Sequence, residues 1–336
     1  MRGSSARLAG STVRLGDLGF PASRFLLART RALFVHLDNL VSFAKRDRDG
    51  RVDGYLAAWL PEEVLLLFVR RGELVNAAAL TATGREVLPV GEALRRIRTE
   101  PERGEIAYGE APIEQLEWMF ASAARPPEVR SADVRDPARL FPILAAEGYT
   151  GVAEFISQGR VNYLRFEAGR FAGGHTTAPA DTPLAYHIES LFQLLPDGTP
   201  PAILLSTLGT PAPLPTQALP SQIRMLREVY ARLVRSAEGA LPGEGTRKSE
   251  RAHQQVITAH PDLAVLGPGD RTEGQAVSAE ALTAALAAWA TGLLREVELV
   301  DPGAGPRLLG EATRDHRHAL QAAGFFEQVP WSPLLP

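Results

Sequence analysis

The stretch that decides the fold is Gly151-Val-Ala-Glu-Phe-Ile-Ser-Gln-Gly-Arg-Val-Asn-Tyr-Leu-Arg-Phe-Glu-Ala-Gly169. Residues 152–157 and 161–166 are short runs rich in β-branched and aromatic side chains, the composition of a half-buried strand. Gln158-Gly159 between them supplies the positive φ that a two-residue hairpin turn needs. Gly169 marks the next turn, and residues 170–174 continue as a third strand. A related stretch lies 97 residues earlier: Gly54-Tyr-Leu-Ala-Ala-Trp-Leu-Pro-Glu-Glu-Val-Leu-Leu-Leu-Phe-Val-Arg-Arg-Gly72. Laid on it without a gap, Gly54 falls on Gly151, Val64 on Val161, Leu67 on Leu164 and Gly72 on Gly169. In the earlier copy Pro61-Glu62-Glu63 takes the turn position. Residues 64–69 after it are apolar on both faces, as a central strand covered on both sides must be.

The flanks repeat as well. Ahead of the first meander residues 34–44 carry Leu37, Leu40 and Val41 at helical spacing. Ahead of the second, residues 136–146 read as a helix with Pro137 at the first helical position. Behind each meander come a helix (91–98; 184–195), a short strand (104–108; 201–206) and a closing helix (113–123; 221–235). In the last of these Ile223, Leu226, Tyr230 and Leu233 line one face and Ser221 stands at the cap position. The expected fold class is α+β: a tandem duplication of units with an antiparallel β-meander and flanking helices, followed by an α-helical bundle. The expected domains are 12–125, 133–240 and 249–336.

Composition agrees with this organisation. The chain has 336 residues, a formal charge of −3, 45% hydrophobic and 22% charged residues, so it has ample material for a core. Its slightly acidic balance offers no global attraction for phosphate backbones, which argues against nucleic acid as a partner. The absence of cysteine removes disulfides, thiolate zinc sites and cysteine nucleophiles together. Arginine outnumbers lysine 34 to 2, which reads as coding bias rather than chemistry. Residues 1–10 carry two arginines but no apolar core of a secretory signal, and the apolar runs 64–69 and 281–294 fall short of the roughly 20 residues that span a bilayer. The expected localisation is cytoplasmic, with no membrane insertion.

The pattern Thr150-Gly151-x-x-x-Phe155, followed by Tyr163-Leu164-Arg165-Phe166-Glu167-Ala168-Gly169-Arg170-Phe171-Ala172, resembles the bacterial DUF4388 family, also called the PATAN domain. The resemblance is clearest over residues 137–175 and weaker over 37–79, where Asp53-Gly54 stands in place of Thr150-Gly151. The chain departs from the family at Gly173-Gly174-His175, where members more often place alanine. The resemblance implies a non-catalytic module of bacterial regulatory proteins, linked to two-component signalling and surface motility and acting through a protein partner. It brings no catalytic residues with it.

In the C-terminal third, residues 241–247 are turn-rich and charged, as a linker is, and residues 249–259, 278–299 and 305–323 are helical in pattern. Leu282, Leu286, Trp289 and Leu293 form one amphipathic face, Asp301-Pro302-Gly303 ends that helix, and Gly324 is placed as a C-cap with Phe325, Phe326 and Trp331 free to pack back.

Motifs with chemistry are few. Gly243-Glu-Gly-Thr-Arg-Lys248-Ser249 lacks the glycine before Lys-Ser that lets a backbone wrap phosphate, and reads as a solvated linker. Gly267-Pro-Gly269-Asp-Arg-Thr-Glu-Gly274 spaces its third glycine two residues late for a dinucleotide. The calcium-like Asp47–Gly54 stretch has Lys45 and Leu56 where oxygen ligands belong. Asp315, His316 and His318 share a helix without a further ligand nearby. Arg95, Arg96 and Arg98, followed by Glu100, Glu102 and Glu105, read as a paired surface rather than a basic patch. His175, Thr176 and Thr177, where a strand ends, and His187 are the pocket candidates. No catalytic, cofactor-binding or metal-ligating residue is assigned, and no cofactor is expected. The leading expectation is a non-enzymatic regulatory or scaffold protein. The alternatives are an enzyme or small-molecule binder with its site where the two repeats join, and a structural homodimer held by residues 249–336.

Overall fold

The computed structural model describes residues 6–9, 11–43, 52–124, 137–178, 182–198, 201, 203–267 and 276–331. The chain forms two compact units, Met1–Leu214 and Pro215–Pro336. The first is α+β and holds both repeats. Repeat one runs β1 (Arg24–Arg31), α1 (Leu37–Phe43), β2 (Gly54–Trp59), β3 (Glu63–Arg70), β4 (Glu73–Thr81), β5 (Arg85–Leu88), α2 (Val90–Thr99), β6 (Glu105–Glu110) and α3 (Ile113–Ala124). Repeat two runs α4 (Pro137–Ala146), β7 (Gly151–Ser157), β8 (Arg160–Glu167), β9 (Arg170–His175), α5 (Leu184–Leu191) and β10 (Ile203–Thr207).

Each repeat builds an antiparallel sheet, in the order β1-β6-β2-β3-β4-β5 and β10-β7-β8-β9. The inner four strands of the first sheet thus match the whole of the second. The match extends to register: Gly54 opposes Val69 and Trp59 opposes Val64, while Gly151 opposes Phe166 and Ile156 opposes Val161. Both meanders carry a register shift at the same place, between Phe68 and Val69 and between Arg165 and Phe166.

The second turn of each meander shows why these residues recur. Arg71-Gly72 and Ala168-Gly169 all have positive φ, the conformation of a twist-matched two-residue turn, for which glycine at the second place carries no Cβ penalty. The N–H of Gly72 donates to the Val52 carbonyl (2.9 Å), and that of Gly169 donates to the Tyr149 carbonyl (2.8 Å). The side chain at the next position completes the clasp. Asp53 Oδ1 accepts from the Arg71 N–H (2.5 Å), and Thr150 Oγ1 accepts from the Ala168 N–H (2.9 Å). Asp53 and Thr150 thus fill the same place in the two turns, each supplying an acceptor oxygen. The first turns differ, since Pro61 cannot take the positive φ of Gln158.

Strand β3 is buried on both faces, as its sequence requires. On the outer face of the first sheet Leu56, Leu65 and Leu67 pack with Ala93 and Ile97 of α2. On the outer face of the second, Phe155, Leu164 and Phe166 pack with Leu144 of α4 and Leu191 of α5. The two inner faces share one core, in which Tyr55, Val64, Leu66 and Phe68 meet Val152, Ile156, Val161 and Tyr163. Helix α3 serves both: Phe120 meets Phe68 edge-on at 5.6 Å, while Glu114, Trp118 and Ser122, at successive i, i+4 positions, contact Arg165, His175 and Glu154.

The second unit contains α6 (Pro220–Ala240), α7 (Gly245–Ile257), α8 (Ala279–Glu298), α9 (Ala304–Thr313) and α10 (Arg317–Ala322). The helix expected to close the second repeat is α6, and it packs into this unit through Leu226, Val229, Tyr230 and Leu233. Its cap is not Ser221: Pro220 takes the first turn, and the Leu219 N–H donates to Gln222 Oε1 (2.8 Å). The expected linker 241–247 is only a short turn, with α7 starting at Gly245. Helix 305–323 is broken into α9 and α10 by a 3-10 turn at Arg314–His316. Trp289 is fully buried on α8 and stacks on Tyr230 at 3.9 Å, and Gly324 (φ 72°) reverses the chain so that Phe325 and Trp331 reach this core.

Candidate functional site

The most concentrated buried chemistry lies between the two sheets. On β7, Val152, Glu154 and Ile156 share the inner face by the period-two rule, which puts a carboxylate in an apolar core. Arg85, from the edge strand β5 of the other repeat, meets it in a bidentate pair at 2.6 and 3.0 Å, with side chains only 7% and 2% exposed. Ser122 of α3 donates its hydroxyl to the same carboxylate, and its carbonyl accepts from Arg85 Nη1 (3.2 Å). Tyr163 adds a further hydrogen bond. Burial alone pushes the Glu154 carboxyl up, but the Arg85 charge and these hydrogen bonds hold it below the usual carboxylate range. Burial and the neighbouring carboxylate push the Tyr163 hydroxyl up, so it stays protonated. The cluster is satisfied and sealed. Its chemistry is that of an interlock, joining β5 and α3 of repeat one to β7 and β8 of repeat two.

The four pocket candidates are not one site. His175 ends β9 and turns to the inner face, its ring 4.8 Å from Trp118. Its Nε2 is buried without a hydrogen-bond partner, 3.7 Å from Glu114 Oε2. Burial lowers the His175 pKa, with Glu114 opposing. His187 lies on the outer face, on α5, where its Nε2 is 3.2 Å from Asn162 Oδ1. That oxygen also accepts from the Thr177 N–H (2.9 Å) and Thr177 Oγ1 (3.3 Å). The Thr177 N–H fixes the amide orientation, so the imidazole must donate as well. The structure therefore joins His187 and Thr177 through Asn162, which the sequence reading passed over, and sends His175 to the opposite side of the sheet. Thr176 lies between them in the chain, half-buried.

The remaining motifs have structural occupants. In the phosphate-loop-like stretch the anion is the chain's own: Glu238 Oε1 accepts from the Gly243 N–H (2.7 Å), and Oε2 accepts from the N–H and Oγ1 of Thr246 (2.8 and 2.9 Å). These backbone hydrogen bonds lower the Glu238 pKa. Arg95, Arg96 and Arg98 are paired, but not with the glutamates after them. Arg95 and Arg96 bind Glu92, Arg96 also binds Glu63, and Arg98 binds Asp38. Glu105 pairs instead with Arg29. His316 Nε2 lies 2.9 Å from Glu228 on α6. The calcium-like stretch up to residue 51 and the loop from residue 268 to 274 lie outside the described residues, and Asp53 is the turn clasp.

Among the described residues no three His, Asp or Glu side chains gather as a metal site, and no helix is long and apolar enough to cross a membrane. A groove of about 440 Å³ opens in the helical unit, lined in part by Gln222, Glu280, Gln321 and Glu327, none of them a candidate from the sequence. Where the two repeats join, α3 and a shared apolar core lie between the described strands of the two sheets. Comparison with protein-family profiles, with curated proteins and with solved structures finds no match.

Proposed function

We propose that this chain is a non-enzymatic bacterial regulatory or scaffold protein, built on two DUF4388-like repeats and acting in the cytoplasm through protein–protein interaction, in two-component signalling or surface motility. One observation supports the reading above others. Among the residues that carry the resemblance, Asp53 and Gly72 in the first repeat and Thr150 and Gly169 in the second clasp the same turn. A motif whose chemistry is architectural in both repeats fits a module that presents a surface rather than a reaction centre. The buried polar cluster around Glu154 fits the same view, because every member is engaged in holding the repeats together.

The experiment is affinity capture of the full chain from its native bacterium, with proteins and small molecules both read by mass spectrometry. Stoichiometric recovery of a response regulator, a kinase or a motility component is the expected result. A co-purifying metabolite, with no stoichiometric protein, would overturn the proposal in favour of a small-molecule site.

A further inference from the structure

The outer faces of the two sheets are filled differently. In the first repeat a narrow recess opens between α1 and the sheet, lined by Leu40 and Val41 of α1, Leu56 of β2, Val69 of β3, Leu74 of β4 and Tyr108 of β6. It is too tight to hold a water molecule. The Tyr108 hydroxyl is buried and has no hydrogen-bond partner among the described residues. A buried donor of this kind is an exception in folded proteins, and it asks for an acceptor.

The second repeat shows what fits that volume. Gly54 opposes Val69, which opposes Leu74, while Gly151 opposes Phe166, which opposes Phe171. Val52 and Tyr149 correspond as well, each giving its carbonyl to the turn glycine. Repeat one therefore has Val52, Val69 and Leu74 where repeat two has Tyr149, Phe166 and Phe171. Those three rings form a chain, with centroids 6.1 Å apart from Tyr149 to Phe166 and again from Phe166 to Phe171. The first repeat recovers part of the volume, with Leu56 in place of Ala153 and Tyr108 in place of Thr207. The recess is the remainder. The second repeat also satisfies its phenol: the Tyr149 hydroxyl donates to the Val152 carbonyl (2.9 Å) and accepts from the Gly209 N–H (3.3 Å).

We infer that the first repeat binds a small uncharged aromatic molecule in this recess, its ring against Val69 and Leu74 and an acceptor oxygen on the Tyr108 hydroxyl. This inference stands apart from the functional reading above, since a ligand inside repeat one neither supplies nor excludes a protein partner.

The surroundings set the ligand class. The walls are aliphatic, so binding draws on apolar burial, with one polar group to fix orientation. Burial first, then the Glu110 and Asp53 carboxylates, push the Tyr108 pKa up to about 12. At neutral pH the phenol is thus a donor, and the ligand must bring the acceptor. The same carboxylates disfavour an anion. Entry requires α1 to shift outward. That helix has seven residues, Leu40 and Val41 are only half-buried, and its ion pair to α2, between Asp38 and Arg98, is exposed. Exposed pairs hold weakly, so α1 yields more readily than the strands beneath it.

Titration of the full chain with acetophenone, read by calorimetry and by ring-carbon NMR of its six tyrosines, tests the inference. Saturable binding is expected, with Kd on the order of 1 mM or tighter. The resonance that moves is expected to be the one missing from Tyr108→Phe. That variant should weaken acetophenone about fivefold, the worth of one neutral hydrogen bond, and leave toluene, which has no acceptor, within about twofold. Benzoate is expected to bind the parent roughly tenfold more weakly than acetophenone does. Val69→Phe and Leu74→Phe put a ring of repeat two into the recess and should each remove binding. Leu74 is half-buried, so Leu74→Phe keeps the test decisive if Val69→Phe fails to fold. Each of four results would overturn the inference: no saturable binding to the parent, movement of a different tyrosine, unchanged affinity in Tyr108→Phe, or undiminished binding in Leu74→Phe.

Discussion

The two repeats share a meander to the residue, yet they are finished differently. The first adds a strand at each side of its four-stranded core, β1 against β6 and β5 against β4, and carries its own closing helix α3. The second has four strands, and its inner face rests on the far side of that same α3. The helix that should have closed it, α6, belongs to the helical unit. The two sheets are thus alike in their meanders and asymmetric in their surroundings: the first carries its own closing helix, and the second rests on that same helix. The polar chemistry follows this asymmetry. Where repeat one has Ala57, Leu65, Leu66, Ala78 and Ala93, repeat two has Glu154, Asn162, Tyr163, His175 and His187.

The sharpest way to break the comparison is at Glu154. Glu154→Leu gives the second sheet the apolar character of the first but strands the Arg85 guanidinium in the core. The expected loss is about 3–5 kcal/mol, read by urea unfolding. Adding Arg85→Met removes the stranded charge, and the double variant is expected to return to within about 1–2 kcal/mol of the parent. Because the Glu154 carboxyl is held below its ordinary range, the pair contributes fully above the ordinary carboxylate value and is lost only as pH falls through the lowered one. A single-variant loss under about 1 kcal/mol would mean that water reaches the pair and that it does not interlock the repeats.

A smaller effect separates the glycines that open each meander. A Cβ on Gly54 would sit 2.3 Å from the Gly109 carbonyl oxygen, and one on Gly151 would sit 2.5 Å from the Gly209 carbonyl. Overpacking of this kind costs about 1–3 kcal/mol at either site. Gly151 also has φ near 149°, a region closed to side-chain-bearing residues, whereas Gly54 does not. Gly151→Ala is therefore expected to exceed Gly54→Ala by roughly 1–2 kcal/mol. Equal midpoints in urea would show that the close approach alone dictates both glycines.

Much of the fold is legible because it rests on local rules. The meanders announce themselves by strand composition and turn glycines, β3 by its unbroken apolar run, and α8 by Leu282, Leu286, Trp289 and Leu293 on one face. Strands β1 and β5 are not legible. β1 reads Arg-Phe-Leu-Leu-Ala-Arg-Thr-Arg with breaks in its register, the guarded composition of an edge, and β5 is only four residues long. The destination of α6 is hidden for a different reason. An amphipathic face shows that a helix is buried, but not against what. The interlock is half visible: Glu154 stands at a core-facing position of an otherwise apolar strand, a signal that a partner must exist, but Arg85 lies 69 residues away and only the tertiary structure brings it there.

The finest test lies in the turn clasp, where the repeats use different side chains for one task. Asp53 presents a carboxylate oxygen and Thr150 a hydroxyl, each to the N–H of a residue with positive φ. If the acceptor is what matters, Asp53→Ala and Thr150→Ala should each cost about 0.5–1.5 kcal/mol, the usual worth of one hydrogen bond. Both bonds are exposed, which places the expected losses at the low end of that range. The exchange variants carry the argument further. Thr150→Asp and Asp53→Thr keep an acceptor at the same place and should unfold within about 0.5 kcal/mol of the parent. A carboxylate also bears charge, so a loss in Asp53→Thr that disappears at high salt would assign part of the first clasp to electrostatics. A loss in both exchanges as large as in the alanine variants would show that the two residues are held by something other than the turn, and would remove the physical basis for treating Asp-Gly and Thr-Gly as one motif.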